Sequence, residues 1–316
     1  MISPKLTTVA RLILEQNYQS DEPGRTLIPL KGGEWSAAHR FHFDDQGFVI
    51  RVSNTPDNFH RDSAAAGWSS PKLPIPKIMK AGYYNEYYYA VSPFYPGEAF
   101  ESLPADDLEQ TIPDFLSMMN ALRSVSLDSV TGFGTLTPAG NGTFHSWSEA
   151  LLDVNNDRPD SLIHGWKEKL SENPDARCKY DQFYERLTEL VKYCPEQKSV
   201  IHSDLLYNNL LVHNNKISAV LDWGCAMIGD PVYDIAIFEF FEPWFPAFTQ
   251  VNLIQRMKQS FLYESADNRR NFDQRMIACQ IHLTLGNIAY CAISEGKHDF
   301  REHINRLDEV LDKTSF

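Results

Sequence analysis

The chain has 316 residues, 43% of them hydrophobic and 12% aromatic, and a formal net charge of −13. That length and composition suffice for a sizeable core and two lobes, and the charge argues against a nucleic-acid-binding protein, which needs a basic face. Five cysteines, none in a CxxC pair, speak against a disulfide framework or a zinc site and fit a reducing cytoplasm.

The first segment, MISPKLTTVARLILEQN, has apolar residues at helical spacing with charges between them, which predicts an amphipathic helix rather than a signal peptide. No apolar run stands out at the roughly 18 residues a membrane span needs, so no membrane partner is expected. LKGGEWSAAHRFHFDDQGFVIRV predicts a β-hairpin turning at Asp44-Asp45-Gln46-Gly47. Phe59 to Ser69 is a helix candidate, ended by the prolines of SSPKLPIPK. YNEYYYAVS predicts a strand, and Pro93-Phe94-Tyr95-Pro96-Gly97 a joint between lobes.

From Glu98 onward the pattern is mostly helical, with a capping box at Ser146-Trp147-Ser148-Glu149 and one strand pair among the helices. The chain is therefore expected to be α+β, with a β-rich N-terminal lobe over 1–95, a mainly helical lobe over 96–316 and a hinge near 92–97. Residues 98–175 hold 4 basic and 14 acidic side chains. That local charge of −10 is either a solubility feature or a field that attracts a cationic small molecule.

The chemistry concentrates in VIHSDLLYNNLLVHNNKISAVLDW, residues 200–223. Two short apolar strands flank His213-Asn214-Asn215-Lys216, a turn sequence. A hairpin closing at Asn214-Asn215 brings Asn209 on one strand and Asp222 on the other to the same open end, with Asp204 on the loop just upstream. Singly, each residue has an ordinary use as a cap, a turn or a strand end. Together they supply hard oxygens suited to Mg²⁺ and a carboxylate able to take a proton from an attacking hydroxyl, the parts that phosphoryl transfer requires. A hydrolase triad from His202-Ser203-Asp204 fails on geometry, since triad members come from separate segments.

On these residues the sequence resembles the aminoglycoside phosphotransferase family, small-molecule kinases with the protein-kinase fold. HSDLLYNNLL resembles the catalytic-loop pattern His-x-Asp-x₄-Asn, VLDW the metal-binding segment and GDPVYDIA the third signature. LPIP, RVSNTPDNF, TGFG and AVLDWGCAMIGD resemble the hygromycin B type within it. The resemblance implies a two-lobe kinase-like fold, Asp204 as catalytic base, Asn209 and Asp222 as Mg²⁺ ligands, and His202, Asp230 and Asp234 as supports of the catalytic loop. Asp230-Pro231 also reads as a helix N-cap followed by Pro at the first helical position.

Where the family usually carries a strand lysine, VIRV offers Arg51, whose guanidinium grips phosphate with a planar fork. Its acidic partner is Asp62, with Asp57 also in reach. The phosphate loop Lys31-Gly32-Gly33-Glu34-Trp35-Ser36 lacks the spaced glycines of a standard one; Ser36 or its neighbours would touch phosphate. Ser92 and Phe94 fall where the hinge would meet adenine, and Pro93 has no N–H to offer.

The resemblance thus implies Mg²⁺ and ATP as phosphoryl donor, GTP remaining open, and a cationic small-molecule acceptor bound by a monomer. IFEFFEPWF sets Glu239 and Glu242 three residues apart on one helical face, candidates for meeting an aminocyclitol. A related kinase acting on choline, a sugar or an amino-acid alcohol is the alternative, since these folds change acceptor through their loops. For choline, Phe240, Phe241, Trp244 and Phe245 offer cage material. A nucleotide-binding protein without transfer activity is the third reading.

Overall fold

A computed structural model describes residues 4–30, 36–294 and 299–314. The first helix, α1 (Pro4–Tyr18), forms as its periodicity predicts, and its Val9, Ala10, Ile13 and Leu14 pack on a sheet to which Phe41, Ile50 and Val52 contribute. After a short α2 (Glu22–Arg25) comes that antiparallel sheet, built from β1 (Ile28–Pro29), β2 (Ala37–Phe43), β3 (Gln46–Ser53), β4 (Lys80–Tyr84) and β5 (Tyr87–Pro93) in the order β1-β2-β3-β5-β4. The β2–β3 hairpin closes where expected. Asp44 and Asp45 both hold positive φ, the left-handed pair that matches strand twist in a two-residue turn.

Between β3 and β4 lies α3 (Asp57–Ala65), continued by a 3-10 turn over Ala66–Trp68, so this helix starts two residues earlier than the sequence suggested. YNEYYYAVS is not one strand but the end of β4, a turn at Asn85-Glu86 with Asn85 left-handed, and β5. Tyrosines on both sides of that turn hid it.

The remainder is helical: α4 (Ala105–Arg123), α5 (Trp147–Leu152), α6 (Trp166–Ser171), α7 (Pro174–Leu190), α8 (Val232–Phe241), α9 (Pro246–Gln250), α10 (Leu253–Glu264), α11 (Ala266–Arg269), α12 (Phe272–Ile293) and α13 (Phe300–Asp312). Ser146 caps α5 as read, its hydroxyl accepting the Glu149 N–H at 3.1 Å. More than one strand pair interrupts these helices. The hairpin β10 (Leu210–His213) and β11 (Lys216–Val220) is joined by β6 (Glu98–Ala99), and β7 (Phe133–Leu136), β8 (Gly142–Phe144), β9 (Ser199–Ile201) and β12 (Met227–Gly229) make a further sheet, β8-β7-β12-β9. Strands of two to four residues leave too little alternation to read in advance.

The 22-residue α12 is long and apolar enough to cross a membrane by length and composition, which the sequence reading overlooked. Here it runs through the centre of the helical region against α6, α7, α8 and α13, with 61% of its most apolar window buried.

Candidate functional site

The β10–β11 hairpin turns at Asn214-Asn215, both left-handed, and so brings Asn209 and Asp222 to one open end as the sequence demands. Asn209 donates its side-chain amide to Asp204, at 2.8 Å to the backbone carbonyl and 2.9 Å to the carboxylate Oδ2. That orientation turns the amide oxygen of Asn209 away from Asp204 and leaves it for another partner.

Asp204 is recessed. Burial pushes its carboxyl up to about 8, the nearby charges of Asp222 and Glu101 push the same way, and the Asn209 bond opposes them. Proton affinity near neutrality suits a general base.

The loop is held from behind. Asp234 accepts the backbone N–H groups of His202 (3.1 Å) and Ser203 (2.8 Å), and Ser203 itself is left-handed, a conformation that needs such bracing. The buried ring of His202 donates Nε2–H to the Leu221 carbonyl at 2.8 Å and accepts the Asp204 N–H at 3.2 Å on Nδ1. Burial pushes His202 down to about 4, so the ring is a neutral brace tying the loop to the hairpin.

On the opposite wall Arg51 of β3 forms an ion pair with Asp62 of α3. Burial opposes the guanidinium charge, and the carboxylates of Asp62 and Asp222 outweigh it and raise its pKa. Asp57 lies exposed and does not take that place. The second oxygen of Asp62 accepts the Trp223 N–H at 2.8 Å, so one carboxylate joins Arg51 to the segment bearing Asp222. Arg61 adds two bonds that the sequence did not suggest, to the carbonyls of Leu136 (2.8 Å) and Gly224 (2.9 Å). Asp222 is left-handed and accepts the Gly224 N–H at 3.3 Å. Burial raises its pKa and Arg51 works against that rise.

These groups surround one cavity of about 860 Å³. Ser36, Arg51, Asp62, Ser92, Phe94, Asp204, Asn209 and Asp222 all line it, and its inner walls carry Ala38 and Val49 from the sheet and Leu211 and Leu221 from the hairpin. Three carboxylates, those of Asp62, Asp204 and Asp222, therefore face a single guanidinium among the described lining residues. That imbalance, with the amide oxygen of Asn209, is a donor set of hard oxygens that fits Mg²⁺.

Four expectations need correcting. Phe94 lines the cavity, but its N–H is bonded to the Gly47 carbonyl at 2.9 Å as the β3–β5 ladder continues, so it has no donor left for a base. Asp230 does not reach the catalytic loop. Its carboxylate forms a fully buried bidentate pair with Arg275 and accepts the Val232 N–H at 3.0 Å, one residue after the Pro231 that leads into α8. Glu239 and Glu242 are not among the lining residues: Glu239 pairs with Lys258 and Gln280, and Glu242 accepts the Thr249 hydroxyl. Of the four aromatics considered for choline, only Phe241 lines the cavity, where it meets Tyr207 edge-on. Lys31 to Trp35 lie outside the described residues. One part of the wall was missed altogether, the face of α12 carrying His282, Gly286 and Tyr290.

A model of the family described as "Phosphotransferase enzyme family" matches residues 26–267. The chain is similar to the hygromycin-B 4-O-kinase of Escherichia coli, 28% identical over 254 residues, which cover 79% of this chain and 72% of that protein. Among solved structures, a thermostable mutant of aminoglycoside phosphotransferase APH(4)-Ia, in ternary complex with AMP-PNP and hygromycin B, superposes with a TM-score of 0.79 at 25% identity, over 96% of this chain and 97% of that one. The spectinomycin phosphotransferase APH(9)-Ia superposes at 0.60 with 13% identity, over 96% and 93% of the two chains, a likeness of fold alone. The arrangement is the kinase-like, two-lobe α+β fold that the sequence resemblance implied.

Proposed function

The chain belongs to the phosphotransferase enzyme family, and within it we propose an ATP-dependent O-phosphotransferase acting on a hydroxyl of an aminocyclitol antibiotic of the hygromycin B type. The observation that carries the reading is the convergence of Asp204, Asn209, Asp222 and the Arg51–Asp62 pair on one cavity with an apolar slot beside them. In this reading residues 1–95 are the nucleotide lobe, 96–316 carry the acceptor side, and the protein works as a cytoplasmic monomer.

The adenine of ATP enters the slot between Val49 and Leu211, with Ser92 at its edge. Arg51 and Ser36 hold phosphate oxygens. The amide oxygen of Asn209 and the carboxylate of Asp222 would hold Mg²⁺, which when bound offsets the charge on the phosphates. Asp204 accepts the proton of the acceptor hydroxyl as its oxygen bonds to the γ-phosphorus. The bond from that phosphorus to the bridging oxygen breaks, and ADP leaves with the electron pair. Arg51, held in place by Asp62, keeps the phosphate in line, and the neutral His202 keeps Asp204 at its post.

Mg²⁺-dependent ADP release with hygromycin B, choline or buffer alone tests the proposal. Stimulation by hygromycin B that vanishes in Asp204→Ala is the expected result. Stimulation by choline and not by hygromycin B would overturn it in favour of a metabolite kinase.

A further inference from the structure

α12 is apolar along most of its length, and one stripe of it is not. His282, Gly286 and Tyr290 stand one turn apart with Leu283 and Asn287 beside them, and all five line the cavity. Tyr233 of α8 hydrogen-bonds His282 at 2.6 Å, and Phe241 of the same helix meets Tyr207 of the catalytic loop. The stripe is therefore tied through α8 to the catalytic loop, and both border the same cavity.

Gly286 is the odd member. Glycine is disfavoured in mid-helix relative to alanine, and a buried helical glycine usually lets another element approach closely. Here a Cβ would meet no atom within 4 Å. The space it leaves opens into the cavity, between two ring-bearing side chains separated by about 12 Å of helix rise.

The notch is uncharged. Burial pushes His282 down to about 4, so its ring is neutral and exchanges hydrogen bonds without repelling or attracting charge. Asn287 offers a neutral amide, and none of the described lining residues of α8 or α12 is a carboxylate. Ring faces, apolar walls and neutral donors and acceptors suit a saturated ring bearing hydroxyls rather than an ammonium group.

We propose that Gly286 leaves a notch in α12 that receives an uncharged, hydroxylated ring of the acceptor, a pyranose or cyclitol, and that its missing side chain sets the size of ring admitted. The inference rests on the phosphotransferase reading above and names the part of the acceptor that this wall recognises.

Gly286→Leu and Gly286→Ala test it, with hygromycin B, myo-inositol, glucose and choline as acceptors of phosphate from ATP. Gly286→Leu is expected to lower kcat/KM for the ring-bearing acceptor at least about tenfold by filling the notch, while KM for ATP stays within about twofold. Gly286→Ala is expected to raise Tm by about 2 °C through helix propensity while still raising the acceptor KM, an opposition that a merely structural glycine would not produce. Transfer to hygromycin B undiminished in both variants overturns the notch and leaves the antibiotic-kinase reading intact. Transfer by the wild type to myo-inositol or glucose alone overturns that reading instead, and loss of it in Gly286→Leu then supports the notch. Transfer to choline alone, or to none of the four, overturns both.

Discussion

The carboxylate of Asp62 accepts the backbone N–H of Trp223 at 2.8 Å while its other oxygen pairs with Arg51. One side chain on α3 thus fixes both the Arg51 guanidinium and the segment that carries Asp222. Asp62→Ala leaves the Arg51 guanidinium unpaired and the Trp223 N–H without its acceptor. It is expected to lower stability by about 3 kcal/mol and to raise KM for ATP about tenfold, the worth of a charge-assisted bond. Asp57→Ala, at an exposed position on the same helix, should stay within about 0.5 kcal/mol of the parent. Urea unfolding and steady-state kinetics on both variants decide the matter, and equal effects would remove the assignment of Asp62.

Asp204→Ala removes the proposed base and leaves Arg51 and the apolar slot in place. The transfer rate should fall by about 10²–10⁴-fold with little change in affinity for MgATP. Nucleotide titration beside single-turnover transfer separates the two quantities. A variant keeping more than about a hundredth of the rate would show that Asp204 is not the base.

Asp230 and Asp234 lie four residues apart and do different work. Asp230 pairs with Arg275 in the core, whereas Asp234 holds the backbone of His202 and Ser203. Asp230→Asn should cost about 3 kcal/mol of stability by leaving a buried guanidinium without its countercharge. Its kcat should be unchanged when assayed well below its own unfolding midpoint. Asp234→Asn presents an amide where two N–H donors need acceptors, so it should lower kcat about tenfold through the loop. A kcat loss in Asp230→Asn at permissive temperature would restore the catalytic-loop role that the sequence suggested for it.

The meeting of side chains at the open end of the hairpin was legible because a hairpin register is local. Once Asn214-Asn215 is recognised as the turn, Asn209 and Asp222 have to meet, and His202 and Asp204 follow on the feeding loop. Arg51 and Asp62 were legible for a similar reason, one strand and the next helix. Contacts between distant segments left no such signal. Nothing in the spacing tells that Asp230 faces Arg275, 45 residues on, or that Glu239 faces Lys258 rather than the cavity. Glu239 lies on α8 and Glu242 just past its end, and packing of α8 against α10 and α12 turns Glu239 to Lys258 and Gln280. The stripe on α12 was hidden by the apolarity of the helix, although Gly286 between His282 and Tyr290 is a readable anomaly in hindsight.

Desolvation holds both His202 and His282 down to about 4. In the unfolded chain each takes up a proton near 6.5. Between those values the unfolded state binds more protons than the folded one, so their contribution to stability is whole above about pH 6.5 and is lost as pH falls toward 4. Asp234, raised by burial to about 6, and Asp204, raised to about 8, act in the opposite direction over the same interval, because their folded forms take up a proton before the unfolded ones do. The wild-type profile alone therefore cannot isolate either effect. The difference between wild type and His282→Gln can, since glutamine retains a partner for the Tyr233 hydroxyl and does not titrate. Whatever the substitution costs near pH 7, the variant should gain about 2 kcal/mol on the wild type by about pH 5, as the histidine penalty it lacks develops. Urea midpoints at about pH 7, 6 and 5 measure that gain. Profiles that stay parallel would mean that His282 takes up its proton in the folded protein at an ordinary pH, and that the cavity wall it lines is charged in mild acid.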